Sequence, residues 1–470
     1  MPIIIPANSA TSGDLVTNSA RFNDASSDYL SRTPSSAGNR QKWTWSAWIK
    51  LGVLGTDRNL FGAYGHGNDN FKVNIADTDQ LSMRFYNGTE YELGLNRVMR
   101  DTSAWYHIVI VVDTTLSSGG DRFKIYINGV RESSFASAND PTQNLQMTIN
   151  DTTATQMGRF NTGAYFDGYM AEVRLIDGQA LAADSFGEFD EDSEIWKPIA
   201  VAGLTSGTNG FYLDFKDSGA LGNDAVGSNN YTANNLAAVD QTTDTCINNF
   251  ATMNILDNRW QGAAFSDGNL TITTTNTSQS YNTSSIMVSS GKWYAECKPV
   301  SGGSEPEIGI FARLVGVTNG NNAQLSYNTN GYAYRASDPG SVWYNGSAVS
   351  TNFATYANGN IIGIALDLDN NKLYFSVNGT FGNSGNPASG ATGTGAISIV
   401  DSASTSIGAY GFAMNENFND NNKVFSWNFG NAPYSISSGN QDANDQGNFE
   451  YAVPTGYLAL CTKNLSEENS

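Results

Sequence analysis

The sequence predicts an all-β protein made of two antiparallel β-sandwiches joined by a turn-rich connector. Charged residues make up only 15% of the 470 residues, so Asn, Ser, Thr and Gly must supply the polar surface, and these residues favour turns. Aromatic residues make up 11%, which suits half-buried pleated strands. Short alternating or apolar runs recur between turn residues along two long blocks of the chain. These three features favour strands over long helices.

Composition and periodicity divide the chain into five segments. They are an irregular N-terminal arm (1–19), a first strand-rich block (20–196), a turn-rich connector (197–262), a second strand-rich block (263–432) and a C-terminal tail (433–470). The connector is dominated by Asn, Gly, Asp and Thr, and its periodicity is weak. Its aromatic residues predict that it packs on a neighbouring domain instead of hanging free.

Four segments carry the strand prediction in the first block. WTWSAWIKL (43–51) alternates apolar and polar positions, and FDGYMAEVRLIDGQAL (166–181) closes the block with another alternating strand. WYHIVIVVD (105–113) is a nearly continuous apolar run, which predicts a strand buried on both faces. RFKIYINGV (122–130) alternates and contains Asn128-Gly129, a hairpin turn signal.

The second block repeats this organisation with different residues. Its predicted strands lie within residues 291–300, 307–316, 360–381, 406–415 and 423–430. Both blocks place a strand that begins with Trp-Tyr before a buried apolar strand, and both follow it with an alternating strand that ends in Asn-Gly. Strands at this spacing favour a sandwich over a barrel.

The charge balance excludes several classes of partner. The chain has 45 acidic and 25 basic residues, a net charge of −20, which disfavours nucleic-acid and anionic-membrane binding.

The sequence contains no run of about 18 apolar residues, so no membrane-spanning helix is predicted. The N-terminus lacks a basic region before its short apolar run, so no secretory signal peptide is predicted. Cys246, Cys297 and Cys461 lie far apart and are predicted to be buried thiols.

Two family resemblances support the two-sandwich prediction. The first block resembles the laminin-G-like, concanavalin-A-like family through ARFNDASSDYLS and the four segments given above, in the family's order, over most of residues 20–185. The second block resembles a SPRY domain through GKWYAE, GIALDLDNNKLYFSVNG and VFSWNFG. Both families are jelly-roll-like sandwiches of two antiparallel sheets. The first commonly binds glycans and the second commonly binds proteins, although neither fold dictates a ligand.

Two other segments suggest a biological setting. GNDAVGSNNYTANN…DTCINNFATMN and VPTGYLALCTKNL resemble segments found beside such modules in structural proteins of tailed phages. This resemblance implies a virion protein on an extracellular particle, as a tail or head fibre or a capsid decoration. Its partners would be other virion proteins and host surface polysaccharide, bound during host adsorption. A homo-oligomer is compatible with a fibre, although coiled-coil heptads and β-helix repeats are absent from the sequence.

Exposed aromatic rings beside amide and carboxylate groups are the expected elements of a glycan site. The candidates are Tyr64, His66, Asn68, Asp69 and Asn70 in the first block, and Tyr332, Tyr334, Trp343 and Tyr344 in the second. The alternative is that the aromatic residues pack in the core or within the loops.

No cofactor is predicted, and calcium is the only metal worth considering. Laminin-G-like modules sometimes hold calcium through Asp side chains and loop carbonyls, and Asp69, Asp77 and Asp79 lie in one loop-rich region. The alternative is that these three residues are ordinary turn residues.

The sequence predicts no enzymatic activity. EFDEDSE (188–194) has the carboxylates of a glycosidase strand, but the residues between them are charged or polar where a strand behind a cleft needs apolar ones. A solvated acidic loop is the favoured interpretation. Neither His66 nor His107 has the partners of a zinc site or a catalytic triad. Three hypotheses remain: a glycan-binding virion appendage, a purely architectural virion protein, and a glycan depolymerase.

Overall fold

The computed structural model is predominantly β, which confirms the predicted fold class. It describes residues 15–65, 69–258, 263–274, 281–302, 306–312, 324–337, 339–416 and 423–467. These residues form two compact units. The first unit contains the described residues up to Asn249 together with Ser266–Gly268, and the second contains those of Phe250–Phe265 and from Asn269 onward. Among the described residues, no helix has the length and hydropathy needed to cross a bilayer.

The first unit is a sandwich of two antiparallel sheets. Its strands are β1 (Ser19–Phe22), β2 (Tyr29–Arg32), β3 (Lys42–Leu51), β4 (Arg58–Gly65), β5 (Asp69–Ile75), β6 (Gln80–Tyr86), β7 (Glu90–Val98), β8 (Trp105–Asp113), β9 (Phe123–Ile127), β10 (Val130–Arg131), β11 (Phe135–Asn139), β12 (Thr155–Met157), β13 (Gly168–Asp177), β14 (Gly187–Phe189), β15 (Trp196–Pro198), β16 (Phe211–Leu213), β17 (Thr232–Asn234) and β18 (Gln241–Thr242). Sheet I has the order β10-β9-β8-β3-β13-β1-β18, with β16 beside β13, and sheet II has the order β11-β7-β6-β5-β4-β12-β2-β17. Strands β14 and β15 form a separate hairpin.

The core of this unit lies between sheets I and II. Alternate residues of β3 point inward, so Trp43 meets Phe71 edge-on at 5.1 Å and Trp45 stacks on Phe61 at 5.7 Å between ring centroids. Strand β9 alternates between buried and half-buried positions, as its sequence pattern predicts.

The outer face of sheet I is covered as well. Trp48 and Val109 point away from the main core and pack in a second cluster with Phe186, Trp196 and Ile247. Strand β8 is therefore buried on both faces, which confirms the prediction from its continuous apolar run.

The segment 197–262, predicted as a connector, is divided between the two units. Strands β16, β17 and β18 pair with β13, β2 and β1 of the first unit. The physical reason lies in its aromatic residues, because Phe211, Phe215 and Tyr231 are buried in the main core of the first unit. The sequence predicted that these rings pack on a neighbouring domain. In the structure they pack within the first unit, because their segment adds strands to both of its sheets.

A buried ion pair holds the end of this segment against sheet I. Lys50 Nζ on β3 lies 2.8 Å from Asp244 Oδ2 and donates to Asn249 Oδ1 at 2.7 Å. Trp105 Nε1 donates to Asp244 Oδ1 at 3.1 Å, and Ser19 Oγ donates to the Asp244 carbonyl at 2.6 Å. The side chains of Lys50 and Asp244 are 1% and 0% exposed, so the pair is shielded from water.

His107 is the buried centre of an aromatic cluster on the same face. Trp196 Nε1 donates to its Nδ1 at 3.0 Å, its Nε2 lies 2.9 Å from Ser46 Oγ, and Trp48 stacks on its ring at 4.7 Å. Because an indole only donates, Nδ1 is the acceptor, and Nε2 carries the proton and donates to Ser46. Burial lowers the pKa of His107 to about 3.

The second unit is also a sandwich. Its elements are β19 (Met253–Asn258), β20 (Ala264–Ser266), β21 (Thr271–Thr273), β22 (Tyr281–Ser284), β23 (Lys292–Ser301), β24 (Glu307–Phe311), β25 (Gly331–Arg335), β26 (Gly340–Tyr344), β27 (Ser347–Phe353), β28 (Ile362–Asp367), β29 (Lys372–Val377), β30 (Thr380–Phe381), β31 (Ile397–Ser398), β32 (Gly411–Asn415), β33 (Val424–Asn428), β34 (Leu458–Ala459) and the helix α1 (Thr462–Glu467). Sheet III has the order β19-β22-β32-β24-β25-β26-β27, and sheet IV has the order β20-β21-β33-β23-β28-β29-β30, with β31 beside β29 and β34 beside β23.

The C-terminal tail packs on the outer face of sheet IV. Phe449 and Tyr457 join Tyr294 and Tyr374 in an apolar cluster there. The buried carboxylate of Glu296 accepts the backbone amides of Glu450 and Tyr451 at 3.0 and 2.9 Å and the side-chain amide of Asn428 at 3.0 Å. The tail is therefore part of this sandwich. Cys246, Cys297 and Cys461 are buried, as predicted.

Substituting Lys50 with Met should destabilise the first unit by about 3–5 kcal/mol, because Asp244 would remain buried without its cation. The measurement is urea unfolding followed by Trp fluorescence. Lys124→Met is the matched control, since Lys124 also lies in sheet I, on β9, but pairs with Asp121, whose carboxylate is 44% exposed and stays solvated without its partner. That change should cost less than about 1 kcal/mol. Equal losses in the two variants would contradict the role given to Lys50.

The first unit should lose stability as the pH falls from about 6.5 towards 3. In that range the unfolded chain binds a proton at His107 and the folded chain does not, so the free energy of unfolding falls by about 1.4 kcal/mol per pH unit from this residue. His107→Asn should be less stable at neutral pH and should show a shallower pH slope, measured by urea unfolding at several pH values. An unchanged slope would refute the assignment.

Candidate functional site

Three of the predicted glycan residues of the first unit, Tyr64, Asp69 and Asn70, lie at the paired ends of β4 and β5. Tyr64 pairs with Asn70 across this hairpin and is 36% exposed, with its ring edge-on to Phe160 at 5.6 Å. Asn70 is 9% exposed. His66 and Asn68 lie outside the described residues. Among the candidates that the structure describes here, Tyr64 is the one that presents an accessible ring.

Asp69 connects this hairpin to a neighbouring loop. Its Oδ1 accepts a hydrogen bond from Thr148 Oγ1 at 2.6 Å, and its Oδ2 lies 4.0 Å from Arg40 Nη2. The same guanidinium lies 3.2 Å from Asp151 and donates from Nε to the Met147 carbonyl at 2.6 Å. Arg40 is therefore held in place from several directions.

Arg40 lines an open polar cleft of about 520 Å³, called the loop cleft below. The polar side chains that line it are Asn39, Arg40, Gln41, Gln146, Asp177 and Thr208. Asn39, Gln146 and Thr208 are exposed and come from three loops that are far apart in sequence. Amide, hydroxyl and guanidinium groups supply donors and acceptors together, which suits a ligand rich in hydroxyl groups.

Asp177 builds the floor of the loop cleft. Its Oδ1 accepts from the Asn39 amide at 2.7 Å and from Asn150 Nδ2 at 3.0 Å, and its Oδ2 accepts from the Asn209 amide at 2.9 Å. A Cβ at Gly38 would lie 1.9 Å from this carboxylate, so the approach requires glycine. The loop cleft was not predicted from the sequence, because only folding brings these loops together.

Burial removes two of the predicted residues of the second unit from any ligand surface. Tyr334 on β25 is 0% exposed, with its ring against Tyr356 at 4.8 Å, and Tyr332 is 3% exposed and stacks on Tyr344 at 4.5 Å. Both rings belong to the core of the second unit. The prediction that they form a sugar platform is corrected here, because inward-pointing positions of a central strand fill the core.

Trp343 has a different environment. It is partly exposed, and its ring lies 6.4 Å from that of Tyr327, which is 44% exposed and was not predicted. Trp343 Nε1 donates to Ser341 Oγ at 2.8 Å, which fixes the ring. The guanidinium of Arg335 lies 4.3 Å from the Trp343 ring centroid and 5.4 Å from that of Tyr327. Tyr327 and Trp343 are called the aromatic pair below.

A buried network holds Arg335 under the aromatic pair. Its Nη2 lies 2.7 Å from Glu307 Oε1, and the two side chains are 8% and 0% exposed. Asn415 Nδ2 donates to Glu307 Oε2 at 3.0 Å. Burial strengthens such charge-assisted bonds, so the aromatic pair rests on a rigid base.

The predicted calcium ligands do not converge. Asp79 is 3% exposed, and its carboxylate bonds Arg58 at 2.6 Å and Arg100 at 2.9 Å, so arginines occupy both oxygens. Asp77 is exposed, and Asp69 bonds Thr148 instead. Within the described part of the chain, no three His, Cys, Asp or Glu side chains group as a metal site. The prediction at these three positions is therefore corrected.

The acidic segment lies on the surface hairpin formed by β14 and β15. Lys197 Nζ lies 3.0 Å from Asp190 Oδ2 and 3.5 Å from Glu188 Oε1. Asp190 also accepts from the Ser193 amide and hydroxyl, and Glu194 is exposed at the turn. These bonds hold the pKa of Asp190 well below its usual value, with the Lys197 hydrogen bond as the main cause. The absence of enzymatic activity stays a prediction.

Comparison with known protein families gives a match to part of the first unit. Residues 24–185 match the family model of the concanavalin A-like lectin/glucanases superfamily. No curated protein sequence matches the chain.

Solved structures give weak similarity over parts of the chain. The SPRY domain of human HERC1 is 16% identical, covering 37% of this chain and 96% of that one, with a TM-score of 0.29. A protein of Bacteroides ovatus ATCC 8483 to which carbohydrate binding has been ascribed is 20% identical, covering 47% and 58%, with a TM-score of 0.31. The heptameric SAP-like pentraxin of Limulus polyphemus is 14% identical, covering 36% and 80%, with a TM-score of 0.28. The family match, and not these structures, is what assigns residues 24–185 a concanavalin A-like lectin fold.

Proposed function

We propose that this chain is a carbohydrate-binding protein that holds its glycan in the loop cleft of the first unit. The observation that carries the proposal is the polar lining of the loop cleft, formed by side chains from separate loops of a lectin-type fold. A sugar presents hydroxyl groups in several directions, and Asn39, Gln146 and Thr208 face solvent with matching donors and acceptors.

The loop cleft is also held rigid before any ligand arrives. Asp177 ties the loop of Asn39 to that of Asn209, and Asp151 and Asp69 hold the Arg40 guanidinium at its edge. Preorganised polar groups lose little conformational entropy on binding, which favours affinity for a weakly apolar ligand.

We further propose that the protein works on a virus particle, as a tail or head fibre or a capsid decoration that binds host surface polysaccharide. Its partners there would be other virion proteins. The resemblance of the connector and tail segments to phage structural proteins supports this setting. The architectural alternative places the loops in protein interfaces, and the depolymerase alternative needs carboxylates that converge in a cleft. The contacts of Glu188 and Asp190 with Lys197 favour a surface role for these carboxylates.

The double substitution Gln146→Ala and Thr208→Ala should weaken polysaccharide binding by about tenfold or more, because each change removes a hydrogen-bonding group from the loop cleft. The Tm should stay unchanged, since both side chains are exposed. Binding is measured as retention on immobilised host polysaccharide, and polysaccharide length is measured in the same samples.

Gln143→Ala is the matched control, because Gln143 is an exposed Gln of the same loop and does not line the loop cleft. It should bind like the unmodified protein. Shortening of the polysaccharide would favour the depolymerase hypothesis, and the absence of both retention and shortening would favour the architectural one.

The aromatic pair provides a second candidate contact in the second unit. Trp343→Ala should reduce retention several-fold, because a partly exposed ring held by Ser341 and Arg335 can stack on the apolar face of a sugar. Val349→Ala is the control, since Val349 is 47% exposed on the adjacent strand. If Trp343→Ala binds normally and particles containing it assemble poorly, the aromatic pair serves a protein interface instead.

A further inference from the structure

Three buried side chains on the outer face of sheet I bring an amine, an amide and a carboxylate into contact. Lys50 Nζ lies 2.7 Å from Asn249 Oδ1 and 2.8 Å from Asp244 Oδ2. The side chains of Lys50 and Asp244 are 1% and 0% exposed, and Asn249 is 2% exposed. The amine therefore touches both a carbonyl group and a proton acceptor at a place that water does not reach.

Neighbouring groups hold the amide and the carboxylate in place. Asn249 Nδ2 donates to the Ser103 carbonyl at 2.6 Å, which fixes the plane of the amide. Trp105 Nε1 donates to Asp244 Oδ1 at 3.1 Å, while Asp244 Oδ2 accepts from Lys50. Groups that are held in contact react far faster than the same groups in solution, because the entropy of bringing them together has already been lost on folding.

Aromatic rings surround the amine. Trp105 and Tyr169 are 1% and 0% exposed, and Lys50 Nζ lies 5.4 Å from the centroid of the Tyr169 ring. An amine attacks a carbonyl carbon only in its neutral form, and an apolar environment favours the neutral forms of amines and carboxylic acids. Transfer of one proton from Lys50 to Asp244 produces that neutral pair, and the shielding of the site from water prevents hydrolysis of the amide.

We propose that Lys50 and Asn249 join in an isopeptide bond once the first unit has folded, with Asp244 as the general base and acid. Lys50 Nζ gives a proton to Asp244 Oδ2, and its electron pair then forms a bond to Asn249 Cγ. A second Nζ proton passes through Asp244 to Asn249 Nδ2. The bond between Cγ and Nδ2 then breaks, and its electron pair leaves with the nitrogen as ammonia.

The products are an amide between Lys50 and Asn249, one molecule of ammonia and a protonated Asp244. Nothing is oxidised or reduced, and no co-reactant is needed. Because Asp244 keeps the first proton, no unpaired charge remains buried after the reaction.

The bond would fix the end of the first unit to the strand β3. Lys50 and Asn249 are 199 positions apart in the chain, and a cross-link that closes so long a loop strongly restricts the unfolded state. None of the residues involved lines the loop cleft. The proposal is therefore independent of the proposed glycan function.

The test is the intact mass of the purified full chain, followed by tandem mass spectrometry of its tryptic peptides. The unmodified protein should be lighter than its sequence by about 17 Da, the mass of the ammonia that the attacking amine displaces. A peptide that contains Lys50 should be joined to one that contains Asn249. Trypsin should not cleave after Lys50, because its side chain is no longer a free amine.

Lys50→Arg should show the full mass of its sequence, because a guanidinium stays protonated and does not attack, although it keeps a cation beside Asp244. Asn249→Ala should also show its full mass, since it lacks the carbonyl group that is attacked. Both variants should lose the cross-linked peptide, and their Tm should fall by about 10 °C or more. Lys42→Arg is the matched control and should keep the mass deficit, because Lys42 also lies on β3 but pairs with Asp113.

The full sequence mass in the folded, unmodified protein would overturn the proposal. A mass deficit that persists in Lys50→Arg would overturn it as well, because an Asn side chain also loses ammonia when it closes a ring with its own backbone. If Lys50→Arg does not fold, Asn249→Ala decides by the same criterion.

Discussion

The buried ion pair between Lys50 and Asp244 is the constraint on which the first unit depends. A Lys in the middle of sheet I is tolerable only if an anion is buried with it, and Asp244 comes from almost 200 residues later in the chain. Pairing the two brings the end of the segment after β15 onto the outer face of sheet I. There Ile247 joins Trp48 and Trp196 in the second apolar cluster. The ion pair and the apolar cluster therefore depend on each other. Without Asp244, Lys50 would be buried without an anion, and without the cluster the apolar outer face of sheet I would be exposed to water.

The second unit solves the same problem with another polar group. The outer face of sheet IV is apolar at Tyr294 and Tyr374, and the tail covers it with Phe449 and Tyr457. Glu296 fixes the position of the tail, because its carboxylate accepts hydrogen bonds from two successive backbone amides of the tail. In both units a sandwich that would otherwise present an apolar outer face is completed by the chain that follows it, and one buried charged side chain sets where that chain lies.

Local pattern was sufficient to predict the fold class and the long strands β3, β8, β9 and β13, although not the short strands of the segment 197–262. The continuous apolar run of β8 predicts burial on both faces, and the alternation of β9 predicts alternating burial; the structure bears out both. The ion-pair partner of Lys50 on the outer face of sheet I could not be predicted, since nothing near Lys50 in the sequence indicates Asp244. The same limit applies to the rings of Tyr332 and Tyr334. In the sequence, an aromatic residue of a short strand looks the same whether its side chain points into the core or towards solvent. Only the register of β25 with its neighbouring strands decides which of the two applies to Tyr332 and Tyr334.

The two aspartates at the ends of β13 show why the loop cleft could not be predicted from a local sequence pattern. Asp177, the last residue of the strand, has both oxygens satisfied by amides from three loops. Asp167, immediately before the strand, is likewise buried and has no such partners among the described residues. In sequence both are an Asp beside a glycine. Their environments differ because β3 is antiparallel to β13, so the loop before β3 meets Asp177 and Gly52 after β3 meets Asp167.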